Sequence, residues 1–138
     1  MDKLIACLLI PVTLAFANDC PAKEPPTLLD RLEQTLKSDD KPFSLVTQIY
    51  IKPESGPQFE AAAAPAAKLS AAEKGCLAYD FQRDLEKPGH YTLVEKWIGL
   101  VPLRQHLTRE HTKQIQAVFE RLSTTPRTTD IYAPIVAD

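Results

Sequence analysis

The 138-residue sequence predicts an α+β fold, a four-stranded antiparallel sheet with its helices on one face, in the order βαββαβ. Three observations predict it. Runs of period two at residues 43–51, 76–83, 90–98 and 128–136 are interleaved with helical periods at 58–74 and 100–122 in that order. Pro88-Gly89 between the second and third runs is a turn that makes them a hairpin. Pro134 has no backbone N–H to give to a ladder, which confines the last run to a sheet edge, where the split βαβ, ferredoxin-like topology puts its fourth strand.

Each element follows from its own residues. Thr27 caps a first helix, Asp30 completes a capping-box-like pair, and Leu28, Leu29, Leu32 and Leu36 recur at helical spacing to Lys37. This short amphipathic helix lies in a Pro-containing linker, residues 18–42, and is expected to dock on its own domain, residues 43–138. In the first strand Phe43, Leu45, Thr47, Ile49 and Ile51 share a face, while Val46 and Tyr50 make the other face partly apolar. The next helix is traced by Phe59, Ala62, Ala63, Ala66 and Leu69. Pro65 removes a hydrogen bond there, a defect of roughly 3 kcal/mol in an unbroken helix, so a kink or two helical pieces are expected. Gly75 follows as the residue able to turn left-handed.

In the second strand Leu77, Tyr79 and Phe81 are expected to face one way and Cys76, Ala78, Asp80 and Gln82 the other. The third strand aligns Tyr91, Leu93, Glu95 and Trp97. The last helical stretch repeats through Leu100, Leu103, Leu107, Ile115, Val118, Phe119 and Leu122, with a break near Thr108, where a threonine can cap a new segment. Val46, Tyr50, Cys76, Ala78, Val94 and Ile98 fall on the sheet face that no helix covers. Their apolar sum predicts a homodimer, face to face with two-fold symmetry.

Composition sets the outer limits. Hydrophobic residues at 44% and charged residues at 25% suit one globular domain, and a net charge of −2 with interspersed signs gives no field for nucleic acid. Residues 1–17 read as a signal peptide: a short n-region, an apolar run from Leu4 to Phe16, and Ala15-Phe16-Ala17 before Asn18. The expected location is therefore secreted or periplasmic, with no stable membrane insertion after cleavage. Asp19 before Cys20 argues against a lipoprotein. In an oxidising compartment Cys20 and Cys76 could pair, the alternative being a buried, inert Cys76.

The residues Glu73-Lys74-Gly75-Cys76-Leu77-Ala78-Tyr79-Asp80-Phe81, then Glu95-Lys96-Trp97, then His106-Leu107 with His111 beyond, resemble the antibiotic biosynthesis monooxygenase superfamily. The resemblance runs from about Phe43 to Ile135. It implies a dimeric α+β barrel and, from the small members of that superfamily, cofactor-independent oxygenation of quinols or anthrones. At the places where haem-degrading members carry a tryptophan and a histidine, this chain has His106 and Gln116, which argues against haem degradation.

Cofactor-free oxygenation needs a base, an apolar pocket and donors to a developing oxyanion. His106 is the candidate base, because imidazole titrates near neutral pH, and Glu95 is the second catalytic candidate, placed among apolar neighbours that raise its pKa unless His106, Arg104 or Lys96 pairs with it. Tyr79, Trp97 and Tyr91 are the candidate substrate-binding residues. His111 lies about 140° from His106 on an unbroken helix, so the two converge on a metal only if the helix breaks at Thr108, and no metal is expected. Nor is a nucleotide cofactor, since four glycines form no phosphate loop. The expected function is oxidation of a small aromatic such as a quinol. The alternative is a noncatalytic small-molecule-binding dimer, with haem binding third.

Overall fold

The computed structural model describes residues 24–135. The expected signal peptide and Cys20, and with Cys20 any bridge to Cys76, lie outside the described residues. Four strands, β1 (Phe43–Tyr50), β2 (Cys76–Arg83), β3 (His90–Trp97) and β4 (Thr128–Tyr132), form one antiparallel sheet in the order β2-β3-β1-β4. This is the expected ferredoxin-like arrangement. The helices are α1 (Leu28–Leu36), α2 (Gly56–Ala71), α3 (Leu100–Leu107) and α4 (Glu110–Leu122).

The core lies between the sheet and the helices. Phe43, Leu45 and Ile49 of β1 and Tyr91, Leu93 and Trp97 of β3 are buried, as alternation requires. α1 is held by the predicted capping box: Thr27 Oγ1 accepts from the Asp30 N–H at 3.2 Å, and Asp30 Oδ2 accepts from the Thr27 N–H at 2.9 Å. Its Leu32 and Leu36 are buried in the same core, so this helix docks on its own domain. Arg31 donates to the Thr129 carbonyl of β4 at 2.9 Å, and Arg104 of α3 pairs with Glu33 at 2.7 Å.

The structure departs from expectation at four places. α2 runs unbroken from Gly56 to Ala71 through Pro65, which is exposed, so water can meet the carbonyl that Pro65 leaves without a partner. Its buried stripe is Phe59, Ala63, Ala66 and Ser70; Leu69 is exposed, and Ser70 satisfies its hydroxyl by donating to the Ala66 carbonyl at 2.8 Å. β4 stops at Tyr132, one residue before Ala133-Pro134. The fourth departure is a β-bulge in β2.

That bulge sits between Cys76 and Ala78, which oppose Trp97 and Lys96 in register. Leu77 is the extra residue and is 62% exposed. One inserted residue reverses the alternation before it, so Cys76 lies opposite inward-facing Trp97 and packs on the core, not on the bare face where strict period two puts it. Burial pushes the Cys76 thiol up to about 11, so it stays protonated and unreactive near neutral pH. The uncovered face retains Val46, Ala78 and Val94, all half-buried, beside exposed Tyr50 and Ile98.

Candidate active site

Tyr79 from β2, Glu95 from β3 and His106 from α3 line one cavity of about 420 Å³. Strand alternation places the first two. Tyr79 opposes Glu95 across the β2–β3 ladder, so both project to the helical side. Leu45, Leu93, Leu103 and Phe119 supply apolar wall, and Leu28 and Leu29 of α1 close one side.

Glu95 is 7% exposed, and the Trp97 indole N–H donates to its Oε2 at 3.1 Å. Desolvation pushes this carboxyl up to about 7, and the indole bond opposes the shift only in part. None of the three cations considered for it pairs with Glu95 among the described residues. Arg104 is taken by Glu33 and Asp39, Lys96 is exposed in the alternate position of the strand, and His106 bonds elsewhere. Burial and the Glu95 charge raise the Tyr79 phenol, which therefore remains a donor.

His106 is 2% exposed, and its Nδ1 lies 2.9 Å from Glu73 Oε1. Glu73 is shared between two histidines: the same oxygen lies 2.7 Å from His111 Nε2. This convergence depends on the expected helix break. Thr108 ends α3 by donating its hydroxyl to the Gln105 carbonyl at 2.7 Å, and Arg109 opens α4 without a side-chain cap. Thr108 thus terminates the first segment instead of capping the second. Reorientation at the break brings the two imidazoles to a ring separation of 5.8 Å. Burial lowers the His106 pKa, against a weaker opposing effect of Glu73.

The other candidates sit differently. Trp97 is fully buried, 5.0 Å from the His106 ring, and holds Glu95 without lining the cavity. Tyr91 lies farther along β3, where its hydroxyl donates to Glu60 at 2.8 Å and its ring packs on Phe59 at 4.5 Å; it does not line the cavity either. Two residues at the site, Arg127 in the cavity wall and Glu73 behind His106, escape sequence reasoning. Arg127, over the Phe119 ring at 4.5 Å, donates to Gln116 at 2.9 Å, and its half-buried guanidinium gives the cavity one cationic end. Glu73 stands inside the quoted motif, but nothing local marks it as the partner of two histidines on later helices.

Comparison with known proteins agrees with this architecture. The sequence profile described as antibiotic biosynthesis monooxygenase matches residues 42–118. No curated protein matches the sequence. Among solved structures, Rv0793 from Mycobacterium tuberculosis is similar with a TM-score of 0.64 at 22% identity, over 70% of this chain and 98% of its own. PA3566 from Pseudomonas aeruginosa has a TM-score of 0.64 at 23% identity, over 72% and 99%. A conserved protein from Methanosarcina mazei Go1 has a TM-score of 0.63 at 24% identity, over 68% and 93%. These likenesses are to the fold.

Proposed function

The chain belongs to the antibiotic biosynthesis monooxygenase family, and from that premise we propose that it is an exported, cofactor-independent monooxygenase oxidising a quinol or similar electron-rich aromatic with O2. The observation that carries the reading is the cavity itself. It joins two titratable groups, Glu95 and His106, to a protonated phenol and apolar walls in a volume suited to a small aromatic. Export rests on the sequence of residues 1–17.

The two titratable groups divide the work. A neutral His106, with Nδ1–H given to Glu73, keeps its lone pair on Nε2, whose nearest polar partner is the Thr112 hydroxyl at 3.4 Å. That nitrogen takes the substrate hydroxyl proton. The resulting phenolate passes an electron to O2, and a carbon–oxygen bond forms on the ring. Glu95, protonated below about pH 7, and Tyr79 donate to the developing oxyanion and peroxide. Cleavage of the O–O bond leaves one oxygen on the ring as a hydroxyquinone and releases the other as water, the substrate supplying every electron and hydrogen. Arg127 anchors a substrate oxygen at the far wall.

Oxygen uptake by the purified, chelator-treated chain across a panel of reduced quinols tests this reading. A rate above autoxidation with a hydroxylated quinone as product is expected. Uptake equal to autoxidation for every quinol, with an aromatic molecule retained unchanged in native mass spectra, would replace it with the noncatalytic binding reading.

A further inference from the structure

Glu73 lies just past α2, His106 near the end of α3 and His111 in the first turn of α4. One ligand atom from each falls within 4.8 Å of the other two. The Glu73 side chain is 11% exposed, and among the described residues its only charged partners within 4.0 Å are these two imidazoles. A carboxylate withdrawn from water needs hydrogen-bond donors or a positive charge beside it. Here the two imidazole nitrogens converge on one carboxylate oxygen, which they can meet as donors or, as acceptors, share a cation with it.

Two imidazoles and a carboxylate form a donor set suited to first-row divalent transition metals. Magnesium and calcium prefer oxygen ligands throughout. We propose that Glu73, His106 Nδ1 and His111 Nε2 form a binding site for a divalent transition metal such as zinc, completed by water on the His111 side. His111 is 17% exposed and opens that side to solvent, while His106, at 2%, closes the other.

The geometry needs only side-chain adjustment. Zinc bonds of about 2.0–2.2 Å place tetrahedral ligands about 3.4 Å apart. The contacts of 2.9 and 2.7 Å to Glu73 Oε1 would widen by roughly 0.5–0.7 Å, and the two imidazole nitrogens, within 4.8 Å of each other, would settle at about the same spacing through rotations of the three side chains. The ion also bears on His106. A metal on Nδ1 leaves the proton on Nε2, so the ring changes from an acceptor to a donor and loses its capacity as a base. Metal loading and base catalysis at His106 therefore exclude each other.

The test reads the metal directly and requires no substrate. The chelator-stripped full chain is titrated with Co2+, followed by visible absorption, and with Zn2+, followed by calorimetry. One ion per chain is expected, with Zn2+ displacing Co2+. Loss of an outer-shell partner typically costs roughly 10–100-fold in affinity, so loss of a direct ligand in His111→Gln or Glu73→Gln is expected to cost at least that. His90→Gln, at the remaining histidine, should leave binding unchanged. Far-UV circular dichroism checks that each variant is folded; if Glu73→Gln is not, the part-exposed His111→Gln decides alone. Absence of saturable binding, or binding that His111→Gln leaves unaltered, overturns the site. Neither outcome bears on oxygen uptake, which is measured without metal.

Discussion

Burial acts oppositely on the two titratable residues of the cavity, raising Glu95 to about 7 and lowering His106. If His106 is the base and protonated Glu95 the donor, turnover falls as pH rises through about 7, and Glu95→Gln, which keeps a donor, removes that alkaline limb. A rate that rises through pH 7 would make Glu95 the base instead. The same carboxyl makes a stability prediction. Its folded pKa of about 7 exceeds the ordinary carboxyl value of 4.5, so between those values the folded state binds more protons than the unfolded one and stability declines as pH rises. The decline attributable to Glu95 is about 3 kcal/mol in total, measurable by denaturant titration at several pH values and absent in Glu95→Gln. His106→Ala is expected to lower turnover by about 100- to 10,000-fold, the usual contribution of a general base; an unaltered rate would remove it from the mechanism. Glu95 and His106 were legible because residue type and period are local. Glu73 was not, because its role is set by histidines 33 and 38 positions away.

Among the elements, α1 shows how a segment outside the matched family region becomes part of the site. Its capping box and leucine spacing are readable in sequence, but only docking shows that Leu28 and Leu29 wall the cavity. Leu32 is fully buried, and Leu32→Ala is expected to cost about 2–5 kcal/mol in a chemical denaturation series. A cost near zero would mean that α1 is not docked in solution. α2 offers the opposite case. Pro65 is exposed within an unbroken helix, so Pro65→Ala should stabilise the chain by up to about 3 kcal/mol, less what proline gains by restricting the unfolded state. An unchanged or lower melting temperature would show that the proline is needed where it stands.

For the whole molecule, the uncovered sheet face is the feature with the largest consequence. Val46, Ala78 and Val94 with Tyr50 and Ile98 present more apolar surface than one chain covers. We expect two chains to pair through it, the arrangement implied by the family resemblance. Val94→Lys, in the middle of that face, should convert a dimer to a monomer in sedimentation velocity while leaving far-UV circular dichroism unchanged. A native chain that sediments as a monomer at micromolar concentration would refute the pairing. His90 limits the apolar area at one end, where it stacks on Tyr50 at 4.5 Å and bonds Asp84 and Gln48 at 2.8 Å each.

The element order, the edge position of β4 and the inward projection of Tyr79, Glu95 and Trp97 can be read from the sequence, because periods of 2 and 3.6 are properties of neighbouring residues. Tertiary structure alone decided the bulge that turns Cys76 inward, the burial of Trp97 behind Glu95, the distance of Tyr91 from the cavity, and the meeting of Glu73 with His106 and His111. Each of these depends on register or on contacts between elements far apart in the chain. A single inserted residue in a ladder redirects side chains without changing any local pattern that announces it, and the helix break that Thr108 does announce leaves open which side chains the second segment brings together.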